Sequence, residues 1–183
     1  GTACDTPSAA HAAAQPLRGG AVVKALVAAG RRGKSGAVAL VDDADAAQQA
    51  AQRMLGTAVA GLPVDRVYVE AREAIAHELY LSFVLDSYPP RMLLSCRGGV
   101  DIEQTHAQTP EAIVGMEVDP VHGVMPWDAL AGWERAGAQA RWLPGLGRLT
   151  AALWQAFVAA DAQMLEINPL VVRADGTLVL VGA

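Results

Sequence analysis

The chain has 183 residues, of which 52% are hydrophobic and 18% charged, a balance that is typical of a globular protein and excludes a disordered one. Its formal net charge of −5 gives no reason to expect a nucleic-acid partner. No apolar run is long enough to span a membrane, and the two cysteines, Cys4 and Cys96, indicate reduced thiols in a cytoplasmic protein.

The first third of the chain predicts helices alternating with strands. Gly1–Asp5 is expected to be an irregular lead-in, and Thr6-Pro7 predicts the N-cap and first residue of an alanine-rich helix. Residues 21–41 predict two strands joined by a basic, glycine-rich loop. Asp42-Asp43 can cap a second helix, which is expected to end at Gly56.

The first predicted strand carries a charge among its apolar residues, at Lys24. A buried ammonium is costly unless it meets an anion, so Lys24 needs an explanation. The loop that follows combines cations with glycines, and a polyphosphate is the simplest ligand for such a loop. A solvated basic turn explains it equally well, because the spacing matches neither the Walker loop nor the dinucleotide fingerprint. The residues concerned are Gly30, Arg31, Arg32, Gly33, Lys34 and Gly36.

The rest of the chain predicts a mixed succession of strands and helices. Strands and helices without strict alternation indicate an α+β fold, with a smaller lobe at 1–72 and a larger lobe at 73–183. We expect Pro169 to end its strand and Val158 to face the core. The predicted elements are strands at 66–70, 78–86 and 91–96, a short helix from Thr109, helices at 127–138 and 146–160, and strands at 162–172 and 177–181.

Several polar residues stand out in this second part of the chain. Glu166 and Asn168 share one face of a predicted core strand, where they offer hard oxygen ligands for Mg²⁺ or simply satisfy turn backbone. Glu70 or Glu78 can accept hydrogen bonds from two ribose hydroxyls, or be a surface charge. Gly98-Gly99 can lend backbone N–H groups to an anion, or form a tight turn.

Taken together, these features resemble the ATP-grasp region of the succinyl-CoA synthetase β-subunit family, which includes malate-CoA ligase and is related to ATP citrate lyase. The resemblance covers essentially the whole chain, and it implies an ATP-grasp fold with two α+β lobes and a nucleotide site between them. The matching segments, in chain order, are Thr2–Pro7, Val22–Lys24, Gly30–Gly36, Val69–Ala71, Glu78–Leu81, Gly98–Glu103 and Glu166–Leu170.

The resemblance implies a role for individual residues in binding ATP or GTP. Lys24 matches the lysine that contacts the nucleotide phosphates, and Arg32-Gly33 matches the phosphate-facing loop. Glu70-Ala71 matches the hinge where the backbone meets adenine, and Glu78 matches the carboxylate that binds ribose.

The resemblance also implies a metal and a partner. Asn168 matches one of two Mg²⁺ ligands, and Glu166 matches a catalytic glutamate that steadies a phosphohistidine supplied by an α-type, CoA-binding subunit or domain. The second Mg²⁺ ligand of the family is an aspartate, where this chain has Gly182, and a glycine of the phosphate loop is replaced by Arg31. We therefore expect weak Mg²⁺-dependent nucleotide affinity that improves in Gly182→Asp.

The implied function is the nucleotide-binding part of an NDP-forming acid–thiol ligase that phosphorylates the partner's histidine. The chain is expected to lack the family's C-terminal CoA-ligase domain and to be incomplete as an enzyme on its own. The alternative is a degenerate ATP-grasp domain that serves as a nucleotide sensor or an assembly module. Gly182 and Arg31 favour this alternative, whereas Lys24, Glu78 and Asn168 argue against it.

Overall fold

The computed structural model describes residues 1–27, 36–99, 102 and 107–182. Two compact units, Gly1–Glu73 and Ala74–Ala183, make up the chain. Both units combine helices with antiparallel sheets, so the predicted α+β class is confirmed. The predicted phosphate loop, with Arg31, Arg32 and Gly33, lies outside the described residues.

The first unit contains a four-stranded antiparallel sheet, a small hairpin and two helices. The order of strands in the sheet is β1-β6-β2-β3. The sheet strands are β1 (Thr2–Cys4), β2 (Ala21–Ala25), β3 (Val38–Val41) and β6 (Val67–Ala71), the hairpin strands are β4 (Ala58–Val59) and β5 (Leu62–Pro63), and the helices are α1 (Pro7–Ala14) and α2 (Ala44–Met54).

Local capping explains why both helices begin where the sequence predicts. The Thr6 hydroxyl accepts a hydrogen bond from the Ala9 N–H at 3.2 Å, and the Asp43 carboxylate accepts one from the Ala46 N–H at 2.7 Å. The prediction of an irregular lead-in at Gly1–Asp5 is wrong, because β1 pairs with β6 across a long separation in sequence. No local signal marks such a pairing.

Alanines form the contact between the helices of the first unit. α1 and α2 pack against each other, and their small side chains let the two backbones approach closely. The alanines buried in this core are Ala10, Ala14, Ala47, Ala50 and Ala51. The alanine-rich composition is therefore a packing requirement of the first unit as well as a helix preference.

Enlarging one of these alanines should destabilise the protein. We expect Ala10→Leu to cost about 1–3 kcal/mol of unfolding free energy, because the extra methyl groups enter a filled core. Ala12→Leu on the exposed face of the same helix is the matched control and should stay close to the parent. Urea unfolding measures the unfolding free energy of both variants. Equal stability of the two would show that the contact between the helices can accommodate a larger side chain at Ala10.

The second unit contains a five-stranded antiparallel sheet with two helices. Its strand order is β11-β10-β7-β8-β9, so β7 is the central strand. The strands are β7 (His77–Val84), β8 (Arg91–Ser95), β9 (Val114–Glu117), β10 (Met164–Val172) and β11 (Leu178–Leu180), the helices are α3 (Pro126–Arg135) and α4 (Leu143–Ala159), and Pro110–Ala112 forms one 3-10 turn. The sequence analysis did not predict strand β9.

The core of the second unit lies between one face of this sheet and the two helices. Phe83 contacts Trp154 of α4 edge-on, with ring centroids 5.3 Å apart. Within this core the buried Trp133 indole donates to the Thr150 hydroxyl at 2.9 Å. The prediction that Val158 faces the core is wrong, since its side chain is 56% exposed. The buried face of α4 consists of Leu146, Gly147, Thr150, Trp154 and Phe157.

Strand β10 does not end at Pro169, contrary to the sequence prediction. It continues to Val172, and its pairing with β7 shifts in register between Ile167 and Leu170. The missing N–H of Pro169 falls within this irregularity, where the ladder to β7 is already interrupted. In the part of the chain that the structure describes, no helix is long and apolar enough to cross a membrane.

Candidate functional site

Lys24 lies on β2 of the first unit, where its ammonium forms an ion pair with Glu70 on β6. The strand register explains the contact, because Val22 stands opposite Glu70 and Lys24 follows on the same face. The two side chains are only 16% and 20% exposed. The anion that the sequence requires for a buried Lys24 is thus supplied, at least in part, by the protein itself.

The residues around this ion pair partly match the sequence predictions. The Glu70 carboxylate is mostly buried and contacts the Lys24 ammonium. Glu70 is therefore not a solvated surface charge. Ala71 follows at the end of β6 and pairs with Ala21. Arg32 and Gly33 belong to the segment outside the described residues, and their predicted contact with phosphate stays a prediction.

In the second unit, Glu78, Gly99 and Asn168 come together, although they are far apart in sequence. The Gly99 N–H donates to Asn168 Oδ1 at 2.7 Å, and the Gly98 N–H donates to the Glu78 carbonyl at 2.9 Å. A β-carbon at Gly99 would lie 2.2 Å from Glu78 Oε2, and one at Gly98 would lie 2.3 Å from the Leu79 carbonyl oxygen. Glycine is required at position 98 by this contact with the β7 backbone, and it is favoured at position 99 by a φ of +96°.

The Gly98-Gly99 segment serves as a tight connection against β7. Both of its N–H groups already donate within the unit, one to Glu78 and one to Asn168. Of the two interpretations that the sequence left open, the structure favours the turn over an anion-binding pair of amides. The Asn168 side chain thereby fixes the position of Gly99 beside the Glu78 carboxylate.

Gly182 also lies against Asn168, through its backbone. The Asn168 N–H donates to the Gly182 carbonyl at 3.0 Å, and the Val181 N–H donates to the Pro169 carbonyl at 3.4 Å. A β-carbon at position 182 would lie 2.2 Å from the Asn168 carbonyl oxygen. The structure therefore leaves no room for the aspartate of Gly182→Asp, and this corrects our expectation that the substitution improves metal binding.

A side chain at position 182 should destabilise this chain. We expect Gly182→Ala to lower the unfolding free energy by about 1–3 kcal/mol, because the added methyl group forces Asn168 and residue 182 apart. Gly115→Ala in β9 is the matched control, since its β-carbon would meet only Leu93 Cδ2, at 3.5 Å. If denaturant titration finds the two variants equally stable, the close contact at Asn168 is not a constraint on residue 182.

Glu166 lies on β10, directly opposite Ser82 of β7, and its carboxylate faces a hydroxyl that the sequence analysis missed. The Tyr80 hydroxyl lies 3.4 Å from Glu166 Oε2 and 3.0 Å from Ser82 Oγ. Glu78, Tyr80 and Ser82 alternate with the buried apolar residues of β7, so they share the opposite face of the sheet. This alternation is visible in the sequence and could have identified Tyr80 and Ser82.

The cysteines offer no nucleophile. Burial raises the pKa of the Cys96 thiol, and burial together with the nearby Asp5 carboxylate raises the pKa of the Cys4 thiol. Both cysteines are free, so both remain protonated thiols at neutral pH.

A family model described as an ATP-grasp domain matches residues 1–172 of the chain. The chain belongs to the ATP-grasp family. This result confirms the resemblance stated from the sequence motifs, and with it the ATP-grasp fold.

Curated relatives match the ATP-grasp chain over nearly its whole length. The ADP-forming succinate–CoA ligase subunit beta of Rubrobacter xylanophilus is 38% identical over 185 aligned residues, covering 100% of this chain and 48% of the relative. The GDP-forming succinate–CoA ligase subunit beta of Thermus thermophilus is 40% identical over 180, covering 97% of this chain and 47% of the relative. The chain thus spans about half the length of the relatives that it matches.

Solved structures share the ATP-grasp fold at lower sequence identity. ATP citrate lyase from Methanothrix soehngenii, solved with citrate and coenzyme A, superposes with a TM-score of 0.68 at 21% identity, over 91% of this chain and 38% of that one. A dinucleotide-forming acetyl-coenzyme A synthetase from Ca. Korarchaeum cryptofilum, solved with coenzyme A, Ca-AMPCP and HgCl+, superposes with a TM-score of 0.67 at 11% identity, over 98% and 81%. At these identities the likeness concerns the fold alone.

The ATP-grasp fold raises the question of a Mg²⁺ site, which the described residues around Asn168 do not fit. Asn168 offers one neutral oxygen that already accepts the Gly99 N–H, and position 182 carries no carboxylate. Mg²⁺ prefers at least one carboxylate beside substrate phosphates. Within the described ranges, no group of three or more His, Cys, Asp or Glu residues could hold a metal ion. A cation that arrives with a nucleotide would gain little from these protein ligands.

Proposed function

We propose that this chain is the nucleotide-binding part of an NDP-forming acid–thiol ligase of the succinyl-CoA synthetase type. The observation that carries the proposal is the partly buried Lys24 ammonium on β2, which directly precedes the glycine-rich basic segment. A cation held inside a sheet and followed by glycines and arginines suits the phosphates of ATP or GTP. The ADP-forming and GDP-forming ligase subunits among the relatives support this substrate class.

The proposal assigns separate tasks to the two units. In the first unit, Lys24 and the segment with Arg32 and Gly33 neutralise phosphate charge, and the backbone at Glu70-Ala71 meets the adenine base. In the second unit, Glu78 accepts hydrogen bonds from the ribose hydroxyls. The Gly99–Asn168 contact supports this task because it fixes the loop beside the Glu78 carboxylate.

The catalytic carboxylate in this proposal is Glu166. It steadies a phosphohistidine that an α-type, CoA-binding subunit or domain brings to the site, so that the phosphoryl group passes from the nucleotide to the histidine. Glu166 lies within the paired part of β10, opposite Ser82, and a carboxylate held in this way can orient an imidazole ring. The proposal assigns the CoA-ligase step to sequence beyond the half of the relatives' length that this chain spans, and the two free thiols are consistent with action in the cytoplasm.

A degenerate ATP-grasp domain is the second candidate, and one observation favours it. The site around Asn168 has no carboxylate at position 182 and no space for one, so a nucleotide would bring its cation to a weak set of ligands. Isothermal titration with ATP, with and without Mg²⁺, separates the ligase and the sensor from a pure assembly module. Binding of ATP is expected for the ligase and for a sensor, whereas a pure assembly module binds none.

Removal of Lys24 tests the phosphate contact, but the ion pair complicates the simplest variant. Lys24→Ala leaves the Glu70 carboxylate in a mostly buried position without its cation, which should cost about 1–3 kcal/mol of stability. We therefore expect Lys24→Ala to lose both stability and ATP affinity. From the sequence alone, removal of a buried charge would be expected to leave stability nearly unchanged, and the ion pair with Glu70 reverses that expectation.

A matched pair of variants separates the two effects of Lys24. The double variant Lys24→Ala/Glu70→Gln removes both charges and should recover most of the stability while still failing to bind ATP. Glu70→Gln alone keeps the ammonium and should still bind ATP. Calorimetry measures the affinities and urea unfolding measures the stabilities. Parent-like ATP affinity in a folded double variant would remove Lys24 from the nucleotide site.

A further inference from the structure

The Tyr80 hydroxyl is buried between two oxygen atoms on the polar face of the second unit's sheet. Tyr80 is only 7% exposed and Ser82 is fully buried, so both hydroxyls depend on partners within the protein. The hydroxyl lies 3.0 Å from Ser82 Oγ on the same strand and 3.4 Å from Glu166 Oε2 on the neighbouring strand.

The number of available protons decides the direction of these hydrogen bonds. A phenol has one proton, a serine hydroxyl has one, and an ionised carboxylate has none. The carboxylate is the stronger acceptor of the two oxygens near Tyr80. A carboxylate can only accept, so the Tyr80 O–H is the donor in its contact with Glu166 Oε2, and Ser82 Oγ lies within hydrogen-bond distance of the same hydroxyl.

The strand pairing makes this arrangement rigid. Glu166 stands directly opposite Ser82, and Tyr80 precedes Ser82 by two residues, so all three side chains rise from adjacent places on one sheet face. β7 is hydrogen-bonded on both sides, to β8 and to β10. A phenol anchored on such a central strand can hold a carboxylate in one orientation at little entropic cost.

We propose that Tyr80 is a positioning residue for the Glu166 carboxylate, and that Ser82 orients the Tyr80 hydroxyl. This inference rests on the proposed function in one respect, namely that the orientation of Glu166 matters for phosphoryl transfer. The contact itself is independent of that function, and the experiment therefore has two arms.

The first arm observes the carboxylate directly. The protein is labelled with ¹³C at the side-chain carboxyl carbon of glutamate, and the Glu166 signal is assigned by its disappearance in Glu166→Gln. We expect Tyr80→Phe to shift the Glu166 signal more than any other glutamate signal, and Ser82→Ala to shift it less. Tyr88→Phe is the matched control, because Tyr88 is 79% exposed, and it should leave the signal in place. An unmoved Glu166 signal in folded Tyr80→Phe overturns the proposal.

The second arm measures phosphoryl transfer in the full-length protein assembled with its partner. We expect Tyr80→Phe to slow transfer roughly tenfold to a hundredfold while the nucleotide Kd stays at the parent value, because only the orientation of a catalytic group changes. In a Glu166→Gln background, Tyr80→Phe should have no further effect. A parent-like transfer rate in Tyr80→Phe, or an equal loss in both backgrounds, overturns the positioning role.

The two arms also distinguish failure of the inference from failure of the proposed function. If the parent assembly transfers no phosphoryl group from ATP or GTP, the ligase proposal fails, and the carboxyl signal still decides whether Tyr80 holds Glu166. If the parent assembly transfers the group and Tyr80→Phe leaves the Glu166 signal unchanged, the ligase proposal is retained and the positioning role of Tyr80 is rejected.

Discussion

Strand β7, His77–Val84, is the element on which the second unit depends, because its two faces lie in different environments. Successive side chains of a strand point to opposite faces. One face of β7 places Leu79, Leu81 and Phe83 in the core. The other face carries Glu78, Tyr80 and Ser82, and the polar residues of β10 stand beside them. A register slip of one residue would exchange the two sets, so burial of the apolar face also fixes the polar one.

The first unit meets a different constraint, which is the cost of placing a charge inside a sheet. Lys24 sits among the buried Val23 and Ala25, and Glu70 on the adjacent strand compensates its charge. Such a pair adds little net stability, since desolvation offsets most of the attraction. The ion pair instead holds the ammonium at a defined place on β2, the strand that precedes in sequence the loop that the proposed function assigns to phosphate.

The accuracy of the sequence predictions follows the range of the interactions concerned. Helices α1 and α2 were predicted with their caps because Thr6 and Asp43 act within three residues of themselves. β1 and β9 were missed because short edge strands are defined by distant partners. For the same reason the Asn168–Gly99 contact, across 69 residues, had no signal in the sequence. Motifs did indicate Lys24, Glu70, Glu78 and Glu166 one by one, but not that Glu70 pairs with Lys24 or that Tyr80 contacts Glu166.

Asn168, which the resemblance matches to a Mg²⁺ ligand, also makes structural contacts with two other segments of the second unit. Its N–H binds the Gly182 carbonyl, its Oδ1 accepts from Gly99, and its own carbonyl leaves no space for a side chain at 182. Gly182 is a glycine because the Asn168 carbonyl occupies the space that a β-carbon needs, whereas Gly99 has a φ of +96°, which favours glycine. A ligand has access only to the second lone pair of Oδ1 and to the amide N–H groups. Any side chain at position 182, including the aspartate that the family resemblance implies there, would therefore require the segment after β11 to move away from β10.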